Sequence, residues 1–253
     1  MKYPRLREVE EYVLKRDFVS LDELCHTFGK SKNTIRRDVS ELVKNGAFEK
    51  VYGGVRTIKT PMVIKQSFVD RSAMYQAGKQ SIGALAARFV ADNDIVFLDS
   101  GTTTLHMLPH LAERSNVTLL TNNLHAINFC LEHPNINAIS LGGQLNPATA
   151  SFSSNYSPVD HLENFNIFKA FMAATGVSIE KGATNTVGEL AIKKKIMERS
   201  DVCYLLVDSS KFDRSALLTY AELSAFHCVV TDTEPPARYL TFFRDNGIQV
   251  MMK

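Results

Sequence analysis

From Asp94 to Val250, short apolar runs alternate with segments of helical period, and few folds accept that order. The runs are Asp94–Asp99, Val117–Thr121, Ile136–Leu141, Phe168–Ala173, Val202–Asp208 and Cys228–Thr231. Between and after them lie helical stretches over Thr102–Leu111, from Leu124, and over Thr186–Ser200, then a last helix–strand pair from Ala237 to Val250. A further helix, Gln76–Val90, leads in. Strands alternating with helices predict an α/β fold, a mostly parallel sheet covered on both faces.

The first 58 residues follow another rule. Leu6, Val9, Val13 and Leu14 share one helical face within residues 5–16. Ser20 and Glu23 have the spacing of a capping box, with Ser20 as N-cap and Glu23 reaching back, opening a short helix to Phe28. Gly29 makes a turn, and Ser31 caps a third helix whose Ile35, Val39, Leu42 and Val43 face inward. Phe48–Tyr52 and Val55–Ile58 read as strands joined at Gly53 and Gly54. Three helices and a hairpin predict a winged helix-turn-helix over residues 1–58, followed by a linker at 59–75 and a second domain at 76–253.

The third helix collects Lys32, Asn33, Thr34, Arg36 and Arg37 behind its Ser31 cap, and the hairpin adds Lys50, Tyr52 and Arg56. A core gains nothing from donors gathered at one helix end. A helix entering the major groove needs them there, because its N-terminal residues meet phosphates and base edges. These nine residues are therefore the expected contacts to double-stranded DNA. Charge agrees: residues 1–60 hold 13 basic and 9 acidic residues, the remainder 16 and 18. Two such heads would read a two-fold related operator, so self-association is expected.

In an open parallel sheet, ligands gather at the carboxyl ends of the strands. Ser100, Gly101, Thr102, Thr103 and Thr104 follow one strand and open a helix, an arrangement that either cradles an anion or only caps the helix. Thr121, Asn122 and Asn123 follow the next, Gly142, Gly143 and Gln144 another, Thr175 and Gly176 another, and Asp208 to Lys211 another. Hydroxyls, amides, glycines and one lysine suit a phosphorylated polyol better than an apolar ligand. Asp99 and Asp208 fit hydroxyl-binding or structural roles better than that of a general base. Lys193, Lys194 and Lys195 with Glu189 read more often as a solvated helix face, although a residue one turn into a helix can still reach a ligand.

His106 and His110 have the spacing of a metal pair, but no adjacent Glu supports it and Pro109 disturbs the helix, so neither metal nor cofactor is expected. Cys25, Cys130, Cys203 and Cys228 are far apart and read as small core side chains in a reducing compartment. No apolar run approaches the roughly 18 residues of a membrane span. The N-terminus has no apolar signal core, so the cytoplasm is the expected location.

Several of these residues match a known family. Phe18, Ser20, Glu23 and Leu24, the run Thr34–Asp38, and Val51–Gly54 resemble the DNA-binding head of DeoR-type bacterial repressors. Lys79, Leu98–Thr103, Thr121–Asn123, Gly142–Gly143, Thr175–Gly176, Glu189, Lys193 and Asp208–Phe212 resemble their effector domain. Within the family, the stretches Val19–Cys25, Ser31–Thr34, Phe171–Val177 and Leu217–Ala221 are most similar to repressors of myo-inositol catabolism. The resemblance implies an effector domain related in fold to ribose-5-phosphate isomerase and glucosamine-6-phosphate deaminase. It would bind a phosphorylated sugar metabolite without turning it over, and the ligand would relieve repression. Carried over residue by residue, the effector set is Asp99–Thr104, Thr121–Asn123, Gly142, Gly143, Gly176, Glu189, Lys193, Asp208 and Lys211. The other reading is a sugar-phosphate isomerase or deaminase with a DNA-binding head, but the isomerases' Asp-Gly-Ala-Asp loop has no match here.

Overall fold

The computed structural model describes residues 3–14, 16, 18–44, 48–57, 67–153, 159–186 and 188–253. The chain divides into two compact units, Met1–Lys65 and Gln66–Lys253.

The first unit contains α1 (Tyr3–Leu14), β1 (Phe18–Ser20), α2 (Leu21–Phe28), α3 (Lys32–Lys44), β2 (Phe48–Val51) and β3 (Gly54–Thr57). Val9 and Val13 of α1, Leu24 of α2, and Ile35, Val39 and Leu42 of α3 are buried together with Val19, Phe48 and Val55. The inward stripe expected on α3 is therefore the core. Gly29 adopts the left-handed conformation at φ 58° and its N–H donates to the Cys25 carbonyl, which ends α2 and turns the chain toward α3.

β1 is invisible to periodicity because it has three residues. It pairs antiparallel with β3, giving the sheet order β1-β3-β2. This pairing explains Ser20, which ends β1 and caps α2 by accepting from the Glu23 N–H at 3.1 Å. The expected capping box is only half made, since the Glu23 carboxylate accepts from the Tyr12 hydroxyl at 3.1 Å. β1 also separates the two glycines of the wing. The turn is Tyr52-Gly53, with Gly53 at φ 80°, while Gly54 opens β3 opposite Ser20. A Cβ on Gly54 would lie 2.4 Å from the Val19 carbonyl oxygen, whereas one on Gly53 meets nothing.

The second unit begins with α4 (Phe68–Ala73), α5 (Gln76–Ala87), β4 (Ile95–Leu98), α6 (Leu108–Leu111), β5 (Val117–Thr121) and α7 (Leu124–Leu131). It continues through β6 (Ile136–Ser140), β7 (Gln144–Asn146), β8 (Ser151–Ser153), β9 (Ile167–Ala173), β10 (Gly176–Ser178), β11 (Gly182–Asn185) and α8 (Leu190–Arg199). It ends with β12 (Ser200–Leu206), β13 (Leu218–Ala221), β14 (Cys228–Val230), α9 (Ala237–Asp245) and β15 (Gln249–Met251). Among the described residues, seven strands form one parallel sheet in the order β15-β14-β12-β9-β4-β5-β6. The chain builds outward from β4 through β5 and β6, then returns to β9 and builds the other way. The switch point lies between the carboxyl ends of β4 and β9, where such sheets open a crevice.

The strands bury alternate residues on opposite faces. Phe97, Ala170, Met172 and Leu205 pack with Tyr239 and Phe243 of α9 and Ile192 and Ile196 of α8. Val96, Leu98, Phe171, Tyr204 and Leu206 pack with Ile82 and Ala86 of α5.

Three expectations change. Residues 59–66 of the expected linker lie outside the described residues, as does Ile58 of the expected wing strand, but Phe68–Ala73 is a helix with a complete capping box from Ser67 and Asp70. Thr102–Leu111 divides into a 3-10 turn, Thr104–Met107, and the short α6, which admits Pro109 in its first turn. Thr186–Ser200 begins as a helix only at Leu190, because 182–185 form β11. That strand joins β10 and β13 in a small antiparallel sheet which the sequence pattern does not announce. No helix among the described residues is long and apolar enough to cross a membrane.

The wing geometry separates the two glycines experimentally. Gly53→Asn is expected to change the stability of the first unit by no more than about 0.5 kcal/mol, since Asn tolerates the left-handed region. Gly54→Ala is expected to cost about 1–3 kcal/mol by forcing β1 from β3. Urea denaturation followed by far-ultraviolet dichroism measures both.

Candidate functional site

The first unit offers a polar face on α3. Asn33, Arg36 and Arg37, spaced three and four apart, are exposed together, and the first turn carries no acidic residue. The one acid in the following turn, Asp38, is buried and clamped by Arg5 of α1 through Nε–Oδ2 at 2.8 Å and Nη2–Oδ1 at 3.0 Å. Ser31 and Thr34 shape the helix start instead of projecting freely: the Ser31 hydroxyl oxygen accepts from the Thr34 N–H at 3.3 Å and lies 3.0 Å from the Thr34 hydroxyl. Lys32 pairs with Asp22 at 2.6 Å, an exposed pair that a phosphate can displace at little cost. Lys50 of β2 donates to Ser40 of α3 at 2.8 Å, which sets the wing against the helix. Tyr52 stands fully exposed at the hairpin tip, and Arg56 is exposed on β3.

In the second unit the switch point is organised by a buried ion pair. Asp99, at the end of β4, accepts from Lys193 of α8 and, through the same oxygen, from the Ala173 N–H at 2.7 Å. Its other oxygen accepts from the Ser100 N–H at 2.8 Å. Lys193 also donates to the Ala173 carbonyl at 3.0 Å and lies 4.9 Å from the centre of the Tyr220 ring. Both charged groups are buried, so the solvated face expected for Lys193 is corrected. The i+3/i+4 packing of Ile192 and Ile196 against the sheet turns Lys193 inward with them, while Lys194 remains exposed.

Glu189, immediately before α8, is buried and accepts from the hydroxyls of Ser100 at 2.6 Å and Ser151 at 2.5 Å and from Asn185 Nδ2 at 2.9 Å. Burial alone pushes this carboxyl up, but Lys193 and the three donors outweigh it and hold it below its ordinary value. Ser151 and Asn185 belong to β8 and β11, strands the sequence pattern does not reveal, and so these two residues escape a reading by strand ends.

Other expected ligands also make contacts within the protein itself. The Thr104 hydroxyl donates to the carbonyls of Asp99 and Gly101, both at 2.7 Å, and the Thr121 hydroxyl donates to the Leu98 carbonyl at 2.7 Å. Asn123 Oδ1 caps α7. Gly101 lacks a side chain because Ala173 fills the space: a Cβ there would lie 2.3 Å from the Ala173 Cβ. Gly142 and Gly143 lie in the loop from β6 to β7, and Gly176 opens β10. Thr102 and Thr103 are buried in the turn that follows β4.

Across β9 the polar groups are less completely satisfied. Asp208 is buried; one oxygen accepts from the Ser210 N–H at 3.0 Å and from its hydroxyl, while Oδ2 has no partner. Burial pushes Asp208 up, but Lys211, Ser210 and Lys79 together hold it below its ordinary value. Thr231 Oγ1, after β14, is also buried without a partner, as are Asn122 Oδ1 and Asn123 Nδ2 after β5, on the β4 side of β9. Lys79 of α5 is buried, donates to the Arg71 carbonyl, and is brought by burial to a pKa of about 8. Four cations, Lys79, Lys193, Lys211 and Arg71, thus act on three carboxylates, Asp99, Glu189 and Asp208. Asp99 and Asp208 do not meet, because β9 separates β4 from β12. Among the described residues, no three His, Cys, Asp or Glu side chains gather as a metal site.

Comparison with known proteins adds family evidence. The family description "DeoR-like helix-turn-helix domain" matches residues 5–61, and "DeoR C terminal sensor domain" matches residues 75–233. The chain is 44% identical over 251 residues to the HTH-type transcriptional regulator IolR of Bacillus subtilis, covering 99% of each chain. It is 27% identical over 245 residues to the glycerol-3-phosphate regulon repressor of Escherichia coli, covering 95% of this chain and 94% of that one. A solved D-ribose-5-phosphate isomerase in complex with phospho-erythronic acid is 21% identical, with a TM-score of 0.40 over 53% of this chain and 52% of its own.

The buried pair makes a stability prediction. Lys193→Met leaves Asp99 buried with an uncompensated charge and is expected to cost about 3–5 kcal/mol. Adding Asp99→Asn should recover part of that loss. Urea denaturation of the two single variants and the double variant measures the coupling, and strict additivity would refute it.

Proposed function

We propose a function from one premise: the chain belongs to the DeoR family of DNA-binding transcriptional regulators. In this reading it is a cytoplasmic repressor of a sugar or polyol catabolic operon, acts as a homo-oligomer on a two-fold operator, and is released by a phosphorylated metabolite. The resemblance to repressors of myo-inositol catabolism, with 44% identity to IolR, supports a polyol pathway.

The observation that carries the ligand class is the set of buried, unpartnered polar atoms at the strand ends. Asp208 Oδ2 and Asn122 Oδ1 accept from ligand hydroxyls; Asn123 Nδ2 and Thr231 Oγ1 donate to ligand oxygens. Buried polar atoms left without partners are costly, so a polyhydroxylated ligand recovers free energy at each. Lys79, Lys211 and the Thr102 and Thr103 hydroxyls supply the anion subsite. Asp99, Ser100, Glu189 and Lys193 position the loop, and Gly101, Thr104, Thr121, Gly142, Gly143 and Gly176 shape it. The regulators and repressors among its relatives support this reading over a sugar-phosphate isomerase or deaminase, and Asp99 and Glu189 are fully occupied by donors within the protein. Release of DNA requires only that the ligand bind the two arrangements of the heads unequally.

At the DNA end, Asn33, Arg36 and Arg37 are the exposed groups of α3, Lys32 and Lys50 exchange weak partners for phosphates, and Tyr52 and Arg56 extend the wing. Arg36→Ala with Arg37→Ala is expected to weaken operator binding at least roughly 100-fold at physiological salt. The salt slope should fall by about one for each arginine that no longer neutralises a phosphate. Fluorescence anisotropy across a salt series measures both, and unchanged binding would refute this assignment of the reader.

Lys79 gives the site a pH profile. Its folded pKa of about 8 lies below the ordinary 10.5, so its buried charge opposes folding below about 8, and that cost disappears as pH rises toward 10.5. A bound phosphate favours the charged form. Affinity for the tightest member of a panel of sugar and inositol phosphates should rise as the phosphate loses its second proton near pH ~6. It should then fall above about 8 as Lys79 deprotonates. Calorimetric titration should show the alkaline fall in the wild type and a flat alkaline limb in Lys79→Met.

A further inference from the structure

Arg71 lies outside the sequence-derived effector set and within the stretch expected to be linker, yet α4 delivers it to the effector site. Three contacts hold α4 at the carboxyl edge of the sheet. The Phe68 ring stacks on His125 of α7 with centroids 4.5 Å apart. Lys79 donates to the Arg71 carbonyl, and Arg71 Nη2 approaches the Ala148 carbonyl at 3.5 Å. Ala148 lies in the turn before β8, three residues from the Ser151 that donates to Glu189.

The Arg71 guanidinium lies 5.6 Å from the centre of the Phe68 ring, but its hydrogen-bond partnership is meagre. A guanidinium carries five donors in a planar fork. Here Nε is buried without a hydrogen-bond partner, and the Ala148 contact is at the outer limit of a hydrogen bond. No carboxylate among the described residues forms an ion pair with it. Glu189 acts on it through space, but the Glu189 oxygens are already taken by Ser100, Ser151 and Asn185. A guanidinium serving only as a staple would have its fork filled, as Arg5 does on Asp38. The fork of Arg71 matches what a phosphate offers, two oxygens side by side, and it stands beside Lys79, the buried ammonium of the anion subsite.

We propose that Arg71 is a ligand-operated latch: its guanidinium donates to the anionic group bound beside Lys79, and occupation of the site thereby fastens α4. Because α4 follows directly on the segment joining the two units, fastening it is how occupancy is reported toward the DNA-binding head. The inference rests on the effector-site reading above. Linkage supplies the mechanism: a ligand that contacts Arg71 binds the fastened arrangement more tightly and shifts the population toward it.

The test uses the full chain with inorganic phosphate as probe and sodium chloride at matched ionic strength as control. Two quantities are read: the thermal midpoint against phosphate concentration, and hydrogen exchange of the 68–73 amides with and without phosphate. In the wild type, phosphate should raise the midpoint by mass action and slow exchange in α4. Arg71→Ala should weaken apparent phosphate affinity roughly tenfold or more and abolish the exchange response. Arg71→Lys, which keeps the charge but not the fork, should fall between; it also guards against a mere loss of α4 structure in the alanine variant. An Arg71→Ala protein that matches the wild type in both readouts overturns the latch and leaves the effector site standing. Weakened affinity with an unchanged α4 exchange response also overturns it, reducing Arg71 to a simple ligand. A wild type that responds neither to phosphate nor to any sugar phosphate in the panel refutes the effector-site reading itself.

Discussion

The pairing of Asp99 with Lys193 is the constraint on which the second unit depends. Burying two opposite charges costs several kcal/mol of desolvation per ion, and their attraction offsets this only when the remaining donors and acceptors are also satisfied. Here they are. Asp99 takes the backbone N–H groups of Ser100 and Ala173, and Lys193 reaches the Ala173 carbonyl. The same carbonyl accepts from the Tyr220 hydroxyl at 3.0 Å, so the small antiparallel sheet is tied to the same point. The ends of β4 and β9, the start of α8 and the strand β13 thus converge on one backbone carbonyl and one carboxylate. A wholly apolar cluster could fill that volume but could not fix the register of four elements, because dispersion is not directional.

This hub divides the site into two halves. On the β4 side every oxygen of Asp99 and Glu189 is engaged, so these carboxylates hold the hub together and offer a ligand nothing further. On the β12 side Asp208 Oδ2 and Thr231 Oγ1 lack partners, as do Asn122 Oδ1 and Asn123 Nδ2 beyond β5. Those atoms stay oriented without a ligand because their other contacts hold them: Asp208 through Ser210, Asn122 through the Phe152 carbonyl at 3.1 Å, and Asn123 through the cap of α7. Preorganisation of this kind lowers the entropic cost of binding.

The fold is legible in the sequence where physics acts locally and repeatedly. The strands Val117–Thr121 and Ile136–Ser140, the stripe of Ile35, Val39 and Leu42, and the Ser31 cap follow from period and capping chemistry alone. Three-residue strands such as β1 and β10 are set by their partners and leave too few residues to show a period. Strand ends nominate candidate site residues but do not assign their roles. Whether a threonine hydroxyl meets a ligand or a backbone carbonyl, as those of Thr104 and Thr121 do, depends on the strand order and on the turn that follows. Arg71 is hidden for the same reason: a capped helix of six residues amid irregular sequence resembles a connector until the Phe68–His125 stack places it.

The first unit bears on where a ligand signal can act. α3 is fixed at its start by the Ser31 cap and the Gly29 turn, at its middle by the Arg5–Asp38 fork, and toward the wing by Lys50 on Ser40. Its inward residues are fully buried, so a rotation or shift of α3 would break several of these interactions together. A reader held this firmly is poorly suited to reshaping by a distant ligand, whose differential affinity is typically worth only about 1–3 kcal/mol. In the proposed homo-oligomer the less costly variable is the placement of intact heads relative to each other, which leaves the packing within either head unchanged. On the proposed reading, control by the metabolite therefore acts through the segment between the units and the helix that follows it. The chemistry of base recognition on α3 stays the same in both states.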